Sequence, residues 1–166
     1  MANRILVGVD GSESASEAVN YACCLAQGLD IEVVALRIVD KRKYLPGFWH
    51  GIEATIEKEL EAHAVQTLRV ARKQAQTRGV SMELEIRYGD SAEEICRFVT
   101  EHEDIVMVVL GISGRGHQDK QSPGYTAEHV AFQVGKKLPC PVLLTPYSGM
   151  SAEAGKRFES WCPKEP

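Results

Sequence analysis

Three glycines mark the part of this chain best equipped for chemistry. Gly111, Gly114 and Gly124 stand at Gly-x2-Gly-x9-Gly spacing, with Arg115 and Gly116 directly after the second. Glycine lets backbone N–H groups approach a ligand with no Cβ in the way. An apolar run, Ile105-Val106-Met107-Val108-Val109-Leu110, leads in, and a helix-like segment from Tyr125 to Lys137 leads out. A helix N-terminus has unpaired donors and a partial positive charge, so strand, bare loop and helix start together suit an anion such as a nucleotide's phosphates. Surface loops carry glycines too, and the rest of the chain has to decide. Other phosphate motifs fit less well. There is no Gly-x4-Gly-Lys-[Ser/Thr], and Gly114-Arg115-Gly116 lacks the third glycine of a dinucleotide fingerprint.

One carboxylate has a matching position. Asp10 follows Ile5-Leu6-Val7-Gly8-Val9, a continuous apolar run of the kind buried on both faces of a parallel sheet. It either faces a ligand with Gly8 and Val9 or caps the helix that follows. No other chemistry is organised. The five cysteines (Cys23, Cys24, Cys96, Cys140, Cys162) and five histidines show no metal-ligand spacing, and reduced, buried thiols are expected. No Ser-His-Asp set is apparent, and Asp10 has no second acid beside it in sequence to hold a metal, so any hydrolysis would be slow.

Composition agrees with this narrow field. A length of 166 residues, 44% hydrophobic, fits one domain with a proper core. The net charge of -4 argues against nucleic acid or an acidic membrane as the main partner. The single basic run, Lys41-Arg42-Lys43, reads as solvated loop. There is no leader-like N-terminus and no apolar stretch long enough to span a bilayer, so a soluble cytoplasmic protein is expected.

The elements that must position the loop follow from periodicity. Strands are expected at 5–9, 31–39, 82–86, 105–110 and 142–145. Between them run a helix capped at Ser12 or Ser14 and closing near Gly28, a long helix with Ile52, Ile56, Leu60, Ala64, Leu68, Ala71 and Ala75 inward, a helix opened by the Ser91/Glu94 capping-box spacing, and the helix after the glycine loop. Strands alternating with helices make an α/β open parallel sheet with helices on both faces. Ligands of such sheets sit beyond the strand tips where the winding reverses. The first and fourth strands end in glycine and a carboxylate, so they are expected to be neighbours flanking that point.

With these residues in place, the chain resembles the universal stress protein family over about residues 3 to 146. The resemblance rests on Ile5-Leu6-Val7-Gly8-Val9-Asp10-Gly11-Ser12, on Gly89-Asp90-Ser91-Ala92-Glu93-Glu94-Ile95, on the glycine spacing and on Pro139-Cys140-Pro141-Val142-Leu143-Leu144. It implies five strands in the order 3-2-1-4-5, the adenine nucleotide alpha hydrolase-like arrangement. It also implies an ATP or AMP site, with Mg²⁺ as a possible companion. Asp10 would lie beside the nucleotide, the backbone of Ile38 would meet the adenine, and Gly111, Gly114, Arg115, Gly116 and Gly124 would surround ribose and phosphates. One departure stands out. The family continues Gly-[Ser/Thr], whereas this chain has Gly124-Tyr125-Thr126. The phenol either blocks a terminal phosphate, swings outward, or leaves Thr126 and helix N–H groups to bind.

The resemblance further implies a homodimer through the last strand, Val142, Leu143 and Leu144. The domain is expected to end at 146, with 147–166 a partly disordered tail. Two functions remain: a nucleotide-sensing stress-response module acting as a dimer, or a nucleotide-free dimeric interaction protein with Tyr125 filling the phosphate space.

Overall fold

In the computed structural model the described residues are 3–43, 53–112 and 127–145, together with Arg157 and Ser160. Five strands form one parallel sheet: β1 (Arg4–Gly8), β2 (Glu32–Val39), β3 (Met82–Tyr88), β4 (Ile105–Gly111) and β5 (Val142–Thr145). Their order is β3-β2-β1-β4-β5, as expected. Central β1 and β2 are buried almost throughout, because their Val, Ile, Leu and Ala residues meet a helical layer on each side. Val7 sits in the middle of the sheet, paired with Ala35 on one side and Val109 on the other.

Among the described residues, the helices on the sheet are α1 (Glu13–Leu29), α2 (Glu53–Thr77), α3 (Ser91–Glu101) and α4 (Ala127–Gly135). The alternation of side chains along each strand divides the core in two. Ile5, Val7, Val33, Ala35 and Val109 face α1 and α2, where they meet Ala18, Ala22, Leu68 and Ala71. Leu6, Val34, Leu36 and Val108 face the other way and meet Ile95, Phe98 and Val99 of α3 and Ala131 and Val134 of α4.

Local chemistry sets the helix ends. Ser12, rather than Ser14, caps α1, its hydroxyl accepting from the Ala15 N–H at 3.1 Å. The helix passes Gly28 and ends at Asp30, which adopts the left-handed region at φ 54. Gly79, at φ 67, terminates α2 as expected. At α3 the cap lies one residue before the expected Ser91: the Asp90 carboxylate accepts from the Ala92 and Glu93 N–H groups. The long α2 buries only Ala64, Leu68, Ala71 and Ala75. Ile56 and Leu60 are only half-buried, and Ile52 lies outside the described residues.

At the N-terminal end of the sheet, Arg4 ties three elements together through Asp104 and Glu83. The Arg4 guanidinium holds the Asp104 carboxyl below the usual carboxylate range. Within the basic run the Lys41 and Arg42 side chains are 42% and 71% exposed, solvated as expected. Lys41 pairs with Glu57 at 2.9 Å, and Arg42 folds back on Asp40. Cys23, Cys96 and Cys140 are free thiols, but Cys24 is disulfide-bonded, which overturns the expectation of five reduced cysteines. Among the described residues no helix is long and apolar enough to cross a membrane.

Candidate functional site

The sheet opens at the tips of β1 and β4, and its hydrogen bonds show why. The last β1–β4 pair is Val7 with Val109. Beyond it, the Val9 N–H donates to Leu36 on β2 at 3.0 Å, while the Ile112 N–H donates to Thr145 on β5 at 3.1 Å. Each tip is drawn toward its outer neighbour, so the two strands part. This is also where the order reverses, with β2 and β3 on one side of β1 and β4 and β5 on the other. The expected pairing of the first and fourth strands holds.

Ile38 faces this crevice with its backbone. Alternate residues of a strand direct their N–H and C=O groups to opposite neighbours. The Leu36 carbonyl accepts from β1, and the Val39 carbonyl accepts from the Gly89 N–H after β3. Ile38 shares the parity of Leu36, so its donor and acceptor point toward the β1 side. There β1 has already left the ladder, since its register with β2 ends at Gly8 and Leu36. A donor and an acceptor side by side at a strand tip suit the edge of a planar heterocycle.

Asp10 braces the loop that closes the crevice. Its carboxylate accepts the Ser12 N–H at 2.8 Å, and Gly11 takes φ 82 to complete the turn. Helix capping belongs to Ser12, so the alternative role for Asp10 falls away.

The two glycines of the crevice differ in what they exclude. A Cβ on Gly111 would stand 2.6 Å from the Ser14 carbonyl oxygen and 2.7 Å from its carbon. The first turn of α1 therefore lies directly on the tip of β4, and Gly111 is glycine for packing. A Cβ on Gly8 would stand 2.7 Å from Leu110 Cδ2, the end of a side chain that can rotate away. Gly114, Arg115, Gly116, Gly124, Tyr125 and Thr126 lie outside the described residues.

A polar clamp above β2 was not foreseen from the sequence. The buried Asp40 carboxylate accepts from Arg42 through its backbone N–H (3.1 Å), Nε (2.9 Å) and Nη2 (3.1 Å). Arg42 also stands 3.8 Å from Asp90, the cap of α3. The clamp fixes the chain just after Ile38. Only the adjacency of Asp40 and a basic run signalled it, and such runs are usually solvated.

Little else competes as a chemical centre. Burial pushes the Cys23 thiol up to about 11, and it raises those of Cys96 and Cys140 as well, so none is a ready thiolate. No His/Cys/Asp/Glu group suited to a metal ion occurs among the described residues. On the far edge, β5 pairs only with β4 among the described residues, and Leu144 is 39% exposed beside Phe132 at 60%. With Val142 and Gly135 these residues line an open groove.

Comparison with known proteins gives this arrangement a family. The profile of the universal stress protein family matches residues 1–146. Universal stress protein MJ0531 of Methanocaldococcus jannaschii is 29% identical over 141 residues, which is 85% of this chain and 80% of that protein. The structure of universal stress protein UspA from Lactobacillus plantarum superposes with a TM-score of 0.69 at 26% identity, covering 86% of this chain and 97% of that one. A family protein of Arabidopsis thaliana solved with AMP bound shares the fold at 16% identity and TM-score 0.65, covering 92% and 98%. Two further structures share the fold at 18% identity. One is a universal stress protein in complex with cAMP (TM-score 0.62, covering 89% and 98%), the other that of Archaeoglobus fulgidus in complex with dAMP (TM-score 0.58, covering 87% and 97%). With its family profile, relatives and strand order in agreement, the chain belongs to the universal stress protein family.

Proposed function

We propose that the protein binds an adenine nucleotide in the crevice between the tips of β1 and β4 and reports its occupancy through a homodimer. The observation that carries this reading is the backbone donor and acceptor of Ile38, turned toward a crevice that the diverging strand tips hold open. Adenine presents a complementary acceptor and donor on one edge, and guanine presents the reverse. Asp10 lies at the level of the ribose, next to Gly8 and Val9. Gly111, Gly114, Arg115, Gly116, Gly124 and Thr126 supply donors to the phosphates. Family members of the same fold solved with AMP, cAMP and dAMP support an adenine nucleotide as the ligand. ATP, with or without Mg²⁺, is the longer ligand to test, and the protein acts as a binding module rather than a fast ATPase. The module spans 1–146, and 147–166 is an appended tail.

Calorimetric titration with AMP, ATP and GTP, each with and without Mg²⁺, tests this directly. Saturable binding of an adenine nucleotide, weaker by about tenfold or more for GTP, is the expected result. Gly114→Val should weaken it without altering the fold. No saturable binding by any adenine nucleotide would overturn the reading.

The Gly124-Tyr125 departure from the family's Gly-[Ser/Thr] favours a second reading, a nucleotide-free dimeric interaction protein. Tyr125→Ser separates the two. Binding that appears only in that variant assigns Tyr125 the blocking role, and equal binding in both removes the steric argument.

A further inference from the structure

The opposite side of the β1–α1 loop carries a cavity that, among the described residues, shares only Val9 with the proposed nucleotide site. It lies between α1 and α2, has a volume of about 180 Å³, and opens beside Gly11 and Ser12. We propose that it is a second binding site, for a small uncharged single-ring molecule with a hydroxyl or amide edge.

Helix patterning creates the space. On α1 the stripe facing α2 is Ser12, Ala15, Ser16 and Val19, an i, i+3, i+4, i+7 set. The α2 stripe facing back is Thr67, Val70, Ala71 and Gln74, at the same spacing. Paired helices ordinarily fill such a seam with Leu or Ile ridges. Here three of the four α1 residues and one α2 residue are Ser or Ala, so the seam stays open above a floor of buried Val9, Val19 and Ala71. Val70 stands at the edge 51% exposed, a large apolar side chain with one flank toward the opening.

The lining sets the ligand class. Among the described residues no ionisable side chain lines the cavity, so a charged ligand would lose hydration with none of these side chains to replace it. The rim is polar and neutral. Gln74 Nε2 donates to Ser16 Oγ at 2.7 Å, which leaves the Gln74 carbonyl and the Ser16 hydroxyl proton for a guest. The Gln66 amide also lines the opening and makes no side-chain hydrogen bond among the described residues. Apolar floor plus amide rim matches a ring with one polar edge. The volume agrees, since an apolar cavity of roughly 150 Å³ takes up benzene. Sites that enclose larger ligands run from roughly 300 Å³ upward, so a whole nucleotide is too big.

Methyl NMR on the full chain, titrated with phenol, toluene and benzoate, tests the assignment. Phenol should give saturable shifts at the methyls of Val9, Val19 and Val70, with Val142 and Leu144 on the far edge unmoved. Toluene lacks the polar edge and should bind about two- to tenfold more weakly, and benzoate at least tenfold more weakly. Gln74→Leu removes a rim amide at low risk to the fold. It should weaken phenol about two- to tenfold and leave toluene unchanged. Ala71→Leu should fill the seam and abolish the shifts. If that variant fails to fold, Ser16→Leu approaches the same space from the half-buried rim of α1. The proposal is overturned if no saturable shifts occur at these valines, if benzoate binds as well as phenol, or if Gln74→Leu affects both neutral ligands equally. Failure of nucleotide binding would leave each of these results untouched, because no phosphate-binding residue is involved.

Discussion

Gly111 shows how one residue can carry two reasons for its type. In sequence it belongs to a phosphate-binding pattern, and in the fold the main chain of Ser14 rests against it. Gly111→Ala forces a methyl into backbone atoms that cannot rotate away, so urea denaturation should show a loss of about 1–3 kcal/mol. Gly8→Ala meets only the tip of Leu110 and should cost less than about 1 kcal/mol. Equal costs at the two positions would show that α1 yields as easily as a side chain. Asp104 gives a pH signature at the other end of the sheet. Its carboxyl is held low by Arg4, so the folded state favours the ionised form. The stability from this pair is therefore full above the ordinary aspartate value, about 3.9, and is lost as pH falls through the lower folded value. Asp104→Asn should cost about 1–3 kcal/mol at neutral pH. Its deficit against the unmodified protein should shrink on acidification below about pH 4, as successive denaturation curves would record. A deficit that stayed constant would show that the ion pair contributes nothing.

At the scale of elements, α3 isolates a boundary that local patterning cannot place. Asp90 and Ser91 are both favourable caps, and Glu94 lies within capping-box reach of Ser91. Only the structure selects Asp90, whose carboxylate also meets Arg42 from the end of β2. Asp90→Ala should lower stability by about 1 kcal/mol, whereas Ser91→Ala should change it by no more than a few tenths. Thermal melts of the two variants make the comparison, and equal shifts would move the cap back to Ser91. The strands were easier to read. The continuous apolar run Ile5-Leu6-Val7-Gly8-Val9 marked β1 as covered on both faces, and the alternation Met82-Glu83-Leu84-Glu85-Ile86 reads as a half-buried or edge strand, which β3 is. The far end of α2 was harder. Its apolar period continues through Ile56 and Leu60, although these residues reach only half burial. Periodicity records which face is apolar, whereas burial depends on how far the partner sheet extends. The clamp of Arg42 on Asp40 and the seam between α1 and α2 were hidden for a related reason, because each depends on side-chain contacts that adjacency and spacing do not fix.

For the whole molecule, the unresolved balance lies at the β5 edge. Topology explains why this edge is open: β4 occupies one side of β5, and no described strand pairs with the other. Such an edge presents unpaired backbone groups, and Leu144 and Phe132 add exposed apolar surface next to it. Lys136 lies over the Phe132 ring at 4.0 Å and covers part of it. A second copy meeting this edge across a two-fold axis would pair like with like and bury both side chains at once. Light scattering on the purified protein should therefore report a dimer. Leu144→Lys, which places a charge against its own symmetry mate, should shift it to monomer at micromolar concentration, and Phe132→Ser should weaken it in the same direction. Val70→Ser, an equally exposed change on α2, should leave the dimer intact. If the unmodified chain is monomeric, or if Leu144→Lys stays dimeric, the β5 edge is not the interface. Nucleotide occupancy would then have no route through this strand to a partner subunit, even though β5 holds the tip of β4 through the bond from Ile112 to Thr145.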